Sequence, residues 1–134
     1  MAHFKKLEIW QKAHALAIAT HRATGRIRGT THVSLRNQLV RAAMSVPTNI
    51  VEGRAQKCEA DFCRFLGYAA ASLDEVEYHL IVAHDLEAMS DSDFRSLTEQ
   101  LKVLRKQTHA LIKKLKQSAD SQNGRPPNAE AVLG

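Results

Sequence analysis

The 134-residue sequence has no apolar run approaching the roughly 20 residues that a membrane-spanning helix needs. Glycine and proline are scarce, with six and three residues, which argues against an all-β protein with many turns. Only two cysteines are present, Cys58 and Cys63, and no signal peptide precedes them. We therefore expect a helical protein with no membrane partner, located in the reducing cytoplasm.

Sequence motifs for catalysis, metal binding or cofactor binding are also missing. There is no phosphate-binding glycine loop, no Cys-x-x-Cys pair and no His-Glu-x-x-His. His14 and His21 are seven residues apart, which is not the one-turn spacing of helical metal ligands. Glu75 and His79 are one turn apart, but without a duplicated Glu-x-x-His motif an i,i+4 hydrogen bond explains them better. The sequence therefore predicts a non-enzymatic protein with no catalytic residue, metal or cofactor.

Hydrophobic periodicity is the strongest positive signal. The chain is 44% apolar and 25% charged, as in globular proteins, and its length suits one domain. Apolar residues recur at three- and four-residue steps in four segments, at about residues 4–24, 34–53, 62–82 and 91–117. Near-equal lengths and short connectors predict an antiparallel, up-down-up-down four-helix bundle over residues 1–117. Ser, Gln, Asn, Gly and Pro-Pro dominate residues 118–134, which we interpret as a flexible tail.

The first and third helices carry apolar residues on more than one face. Leu16 and Ile18 are two residues apart, about 200° around the first helix, so this helix needs more than one neighbour. The third helix has a core stripe and a second stripe that includes Tyr68 and Tyr78. A helix with two such faces can pack within its own subunit through one face and contact a partner outside the subunit through the other.

The second helix contains Pro47, which removes a backbone hydrogen bond and predicts a bend. We expect the hydroxyls of Ser45 and Thr48 to bond backbone groups that this bend leaves unpaired, rather than to act as nucleophiles. Ser34 is the predicted N-cap of this helix, and Ser90 or Asp91 starts the fourth helix.

Asn49 and Glu52 are unusual polar residues because they lie one turn apart beside the core residue Ile50. We expect both to be partly buried and therefore to need hydrogen-bond partners. A satisfied polar network is favoured over a ligand or catalytic pocket. The candidate partners are Tyr68, Ser72 and Arg41.

Charge is distributed very unevenly along the chain. The formal charge is +8 over residues 1–58, −8 over residues 59–99 and +6 over residues 100–117. Basic helices could neutralise a phosphate backbone, which predicts nucleic-acid binding. Alternatively, the opposed charges could serve assembly and partner docking in a protein-interaction scaffold. The predicted nucleic-acid contacts are Arg22, Arg26, Arg28, Arg36, Lys102, Arg105 and Lys106.

One run in the second helix has a recognisable pattern. Residues 38–54 read QLVRAAMSVPTNIVEGR, and the similarity continues over residues 7–13, 62–66 and 69–75, so that it covers about residues 4–115. This run resembles the signature Q-x-x-R-A-x-x-S-I-P-x-N-I-x-E-G of the four-helix-bundle family called the 23S rRNA-intervening sequence protein family. The matching positions form a structural motif that includes Ser45, Pro47, Asn49, Glu52 and Gly53.

The resemblance implies a small bacterial cytosolic protein without known catalysis that assembles as a ring of five bundles, a homopentamer. It extends to the accessory variability determinant proteins of diversity-generating retroelements, which are basic pentamers. That relationship implies two kinds of partner, an RNA or DNA molecule and a protein such as a reverse transcriptase.

Overall fold

The computed structural model describes residues 3–122, which form four long α-helices and no strand. The helices are α1 (Glu8–Thr24), α2 (Val33–Arg54), α3 (Glu59–Asp85) and α4 (Asp91–Gln122). Two short 3-10 turns, Phe4–Lys6 and Thr30–His32, precede α1 and α2. The predicted all-α class and the four helices are therefore confirmed.

The four helices surround one apolar core. Each helix packs against the next along the chain, and α1 also packs against α4. Each fully buried leucine contributes about 1.5–3 kcal/mol relative to an exposed one. The buried stripes follow the predicted spacing: Ile9, Ala13, Leu16 and Ala17 on α1; Leu39, Ala42, Ala43, Val46 and Ile50 on α2; Phe62, Leu66, Ala69, Leu73, Val76 and Leu80 on α3; Leu97, Leu101, Leu104 and Thr108 on α4.

The start of α2 differs from the prediction. The helix begins at Val33, its N-cap position is occupied by His32, and Ser34 lies inside the first turn. The preceding 3-10 turn explains the difference, because it leads directly into the helix and leaves no extended residue at position 34. Gly29 precedes that turn with a φ of 97°, a conformation that glycine adopts without strain.

The other helix ends agree in part. The regular part of the first helix begins at Glu8, because residues 4–6 form the 3-10 turn. The fourth helix begins at Asp91 as predicted, and the Ser90 hydroxyl accepts a hydrogen bond from the backbone N–H of Asp93. Residues 118–122 of the predicted tail are the last residues of α4. The rest of that predicted tail lies outside the described residues.

The turn between α3 and α4 holds Glu87 in the left-handed region, with a φ of 58°. We expect Glu87→Gly to raise the free energy of unfolding by up to about 1 kcal/mol, because glycine reaches this conformation without a Cβ clash. Urea denaturation measures the difference. Glu87→Ala is the matched control, since it keeps the Cβ, and a glycine variant no more stable than this control would contradict the prediction.

Candidate nucleic-acid interface

The hydroxyls beside Pro47 bond carbonyls within α2. Ser45 Oγ donates to the carbonyl of Ala42, and Thr48 Oγ1 donates to that of Met44, both over 2.8 Å. Neither acceptor is the carbonyl that proline deprives of its donor, so the predicted acceptor is wrong. A Ser or Thr hydroxyl in a helix bonds the carbonyl three or four residues earlier. From positions 45 and 48 the hydroxyls therefore reach the carbonyls of Ala42 and Met44, which lie on either side of the carbonyl that Pro47 leaves without a donor.

Asn49 is half-buried, and its Nδ2 donates to the carbonyl of Ser45 over 2.8 Å. The side chain of Glu52 is exposed, so its predicted burial is wrong. Three residues turn the helix by about 300°, which places Glu52 further from the core than Asn49. The carbonyl one turn back satisfies Asn49 within its own helix, and the predicted network does not form with Tyr68, Ser72 and Arg41.

Gly53 is a position where α2 and α3 approach closely. A Cβ built on Gly53 would lie 2.7 Å from Cβ of Phe65 and 3.0 Å from Cδ1 of Phe62. Only a residue without a side chain fits this contact. The motif of α2 therefore serves packing, through helix-internal hydrogen bonds and one close helix contact.

Two of the predicted nucleic-acid contacts hold the connector between α1 and α2. Arg26 makes a two-point interaction with Asp93, with 2.8 Å from Nε to Oδ2 and 2.9 Å from Nη2 to Oδ1. Arg36 Nη1 donates to the carbonyls of Ile27 and Gly29 over 3.1 and 2.9 Å. Both guanidinium groups therefore have partners within the chain.

Arg105 on α4 is also engaged, because its Nη1 donates to Glu77 Oε2 over 3.2 Å and its Nη2 lies 3.0 Å from Asp74 Oδ1. Its side chain is only 25% exposed. The remaining predicted contacts are exposed but do not share one element. Arg22 is on α1, Arg28 is in the connector, and Lys102 and Lys106 are on α4.

The Arg26–Asp93 pair predicts a pH effect on stability. The hydrogen bond from Arg26 lowers the pKa of Asp93, so this carboxylate stabilises the fold above its ordinary pKa near 4 and loses that contribution as the pH falls through the lowered pKa. We expect Asp93→Asn to lower the melting temperature at pH 7 and to differ less from the parent at pH 3. Thermal unfolding at both pH values measures this, and a difference independent of pH would contradict it.

Four lysines form a single exposed row on α4. Lys102, Lys106, Lys113 and Lys116 follow one another at steps of four, seven and three residues, which places them on one helix face. The row is about 21 Å long at 1.5 Å per residue. We call these four residues the lysine stripe. Within residues 3–122, no carboxylate lies within 4.0 Å of their ammonium groups.

The lysine stripe was only half identified from the sequence. Lys102 and Lys106 are predicted contacts, whereas Lys113 and Lys116 enter the sequence analysis only through the charge of +6 over residues 100–117. Their spacing was the available signal. Ammonium groups on flexible stems act as point charges toward phosphates and lack the planar fork with which arginine reads guanine, so the stripe suits a phosphate backbone.

Other candidate chemistry gives little support for a different kind of site. In the part of the chain that the structure describes, no three His, Cys, Asp or Glu side chains are placed to hold a metal ion. His79 Nε2 lies 3.6 Å from Glu75 Oε1, as an i,i+4 pair. Cys58 and Cys63 are free thiols, and burial raises the pKa of Cys63. None of the helices within residues 3–122 has the length and apolar character required to cross a bilayer.

Comparison with known proteins agrees with this architecture. Residues 5–110 match the family model described as 23S rRNA-intervening sequence protein, and the chain belongs to this family. No curated protein matches the chain. The fold is similar to the crystal structure of a protein of unknown function from the S23 ribosomal protein family of Bacteroides thetaiotaomicron VPI-5482. The TM-score is 0.74 at 21% identity, over 78% of this chain and 98% of that chain, which shows a shared fold.

Proposed function

We propose that this protein is a non-enzymatic, cytoplasmic, homo-oligomeric four-helix bundle that binds structured RNA or DNA through phosphates. The lysine stripe carries the proposal, because it concentrates four exposed cations on one face of a rigid helix and none of them pairs with a carboxylate of residues 3–122. Such a surface binds nucleic acids favourably, because each lysine that neutralises a phosphate releases counterions that were condensed on the nucleic acid. Arg22 and Arg28 are exposed and add positive charge nearer the connector.

Contacts between α1 and α4 support the antiparallel arrangement in this proposal. Arg26, just after the end of α1, binds Asp93 near the start of α4. Near the start of α1, Lys12 and Ala15 line a groove with Val103, which lies further along α4. Residue numbers thus rise along α1 as they fall along α4, as in an up-down-up-down bundle.

Assembly as a ring of five would strengthen nucleic-acid binding. The resemblance to the ring-forming family supports such a ring, and large apolar side chains remain exposed on the bundle, such as Tyr78 at 62%. Several lysine stripes on one particle would bind a long polyanion at the same time, so the ring would bind more tightly than one bundle without any new type of contact.

Fluorescence anisotropy with a labelled RNA hairpin and a labelled DNA duplex tests the proposed binding. We expect both probes to bind, with log affinity falling by about 0.9 per phosphate contact for each tenfold rise in salt on the duplex. If neither probe gives a salt-sensitive signal at micromolar protein and low ionic strength, nucleic-acid binding is wrong.

A protein-interaction scaffold is the second candidate function, with a protein such as a reverse transcriptase as the partner. The observation that favours it is the exposed surface of α3, where Tyr78 and Ile81 lie among acidic residues. A pull-down from native lysate with and without nuclease separates the two functions. Partners that survive nuclease support the scaffold, and the loss of all partners after nuclease counts against it.

A further inference from the structure

We infer that the outward face of α3 docks against the outward face of α1 in a second copy of this chain, leaving Lys102, Lys106 and Lys113 of the lysine stripe open. This inference rests on the homo-oligomeric part of the proposed function and names the two surfaces that meet. The α3 face is Asp74, Tyr78, Ile81 and Asp85, and the α1 face is Ala15, Ile18 and Arg22.

The α3 face combines apolar and acidic residues that its own subunit leaves uncovered. Its members follow one another at steps of four, three and four residues, so they share one side of the helix. Tyr78 is 62% exposed, Ile81 is 43% exposed, and Asp85 is exposed beside them. Asp74 has a side chain that is 72% exposed although it pairs with Arg105. Such a surface fits a partner that is both apolar and basic.

Gly67 lies on the same face of α3, seven residues before Asp74. A Cβ built on Gly67 would meet no atom within 4 Å, so packing inside the subunit does not require glycine there. Glycine in a helix interior costs about 0.5–1 kcal/mol relative to alanine. A partner helix that approaches closely at this point would account for a residue that the single bundle does not explain.

The α1 face supplies the complementary chemistry. Ile18 is 40% exposed, and Ala15 and Arg22 are exposed one turn before and after it. The only carboxylate of α1 is Glu8, in its first turn, so the α1 residues around Ile18 carry positive charge alone, while Glu99 of α4 lines a groove beside Ala15. Ile18 can therefore pack against Tyr78 and Ile81 of the other copy while Arg22 faces a carboxylate.

The lysine stripe is a poorer partner for the α3 face, although its charge is also opposite. The centre of a protein interface is apolar and depleted of lysine, whereas the stripe is a row of ammonium groups. Docking on α1 covers apolar surface on both sides and leaves Lys102, Lys106 and Lys113 accessible to phosphate, while Lys116 lies at the edge of the α3 face, where it lines a groove with Gly67 and Asp74. Because two different faces meet, the contact is head-to-tail, which closes into a ring when the rotation between copies allows it.

Two complementary full-length variants test this contact by light scattering. Tyr78→Lys/Asp85→Lys breaks the α3 face, and Ile18→Glu/Arg22→Glu breaks the α1 face. We expect each variant alone to fall to the monomer mass of 14.9 kDa, with unchanged helical circular dichroism. An equimolar mixture should give a particle of twice that mass, because the intact α1 face of the first variant meets the intact α3 face of the second.

The inference is overturned if the parent is monomeric, if either folded variant keeps the parental mass, or if the mixture stays monomeric. Lys102→Glu/Lys106→Glu is the matched control, with two exposed substitutions on α4 outside the groove that Lys116 shares with Gly67 and Asp74, and it should leave the parental mass unchanged. This control should weaken binding of the RNA hairpin, whereas Tyr78→Lys/Asp85→Lys, which removes no predicted nucleic-acid contact, should retain salt-sensitive binding. Failure of docking is thereby distinguished from failure of nucleic-acid binding.

Discussion

Replacing the four residues of the lysine stripe with glutamine should weaken binding to a DNA duplex by a factor on the order of 100 to 1,000 at 0.1 M salt. Each lysine that neutralises a phosphate releases counterions, so its loss reduces the salt dependence of the affinity by about 0.9 per contact. The reduction should be uniform across probe sequences, because lysines on a phosphate backbone do not read bases. Anisotropy titrations at several salt concentrations measure both quantities.

A charge-matched variant separates the effect of the stripe from that of net charge. Four exposed basic residues elsewhere on the chain are replaced with glutamine, which lowers the net charge by the same amount. We expect this control to retain most of the parental affinity and salt dependence. An equal loss in both variants would show that binding does not depend on the α4 face. The control residues are Lys5, Lys6, Arg41 and Lys57.

Gly53→Ala should lower the free energy of unfolding by about 1–3 kcal/mol, despite the higher helix propensity of alanine. The added methyl group would lie 2.7 Å from Cβ of Phe65, an atom fixed to the backbone of α3, so relief requires the two helices to separate. The loss of close packing affects the whole contact between α2 and α3, which is the most extensive helix pair of the bundle.

Gly67→Ala is the matched control for this prediction, because its methyl group enters open space. We expect it to raise stability by about 0.5–1 kcal/mol. Both variants are compared by urea denaturation in the Tyr78→Lys/Asp85→Lys background, so that assembly does not contribute. If the two substitutions change the free energy of unfolding in the same direction, the close contact between α2 and α3 does not require glycine at position 53.

Much of the fold could be predicted from the sequence because burial imposes the helical period directly on the chain. Leu39, Val46 and Ile50 are spaced as a buried stripe must be, and all three are fully buried. Helix ends were harder, because they depend on local backbone geometry. Ser34 is a good capping residue, yet the 3-10 turn before it moved the start of the helix to Val33.

The candidate site was less predictable, because charge counts do not show which cations already have partners. Arg26 meets a carboxylate 67 positions away, and Arg105 meets one 28 positions away. No local pattern gives such pairings, since they follow from how the helices are placed. The lysine stripe is different: its residues share one helix, so spacing alone was sufficient to place Lys113 and Lys116 beside Lys102 and Lys106.

The contact between α1 and α4 has a consequence for how the protein forms during synthesis. α2 and α3 are made one after the other and pack together, whereas α4, the second neighbour of α1, is translated after both of them. Until α4 has been made, one side of α1 has no helix to pack against, and the guanidinium group of Arg26 lacks its partner Asp93. The nascent chain therefore keeps an apolar surface of α1 uncovered until α4 has been translated, and that interval is when it is most exposed to aggregation.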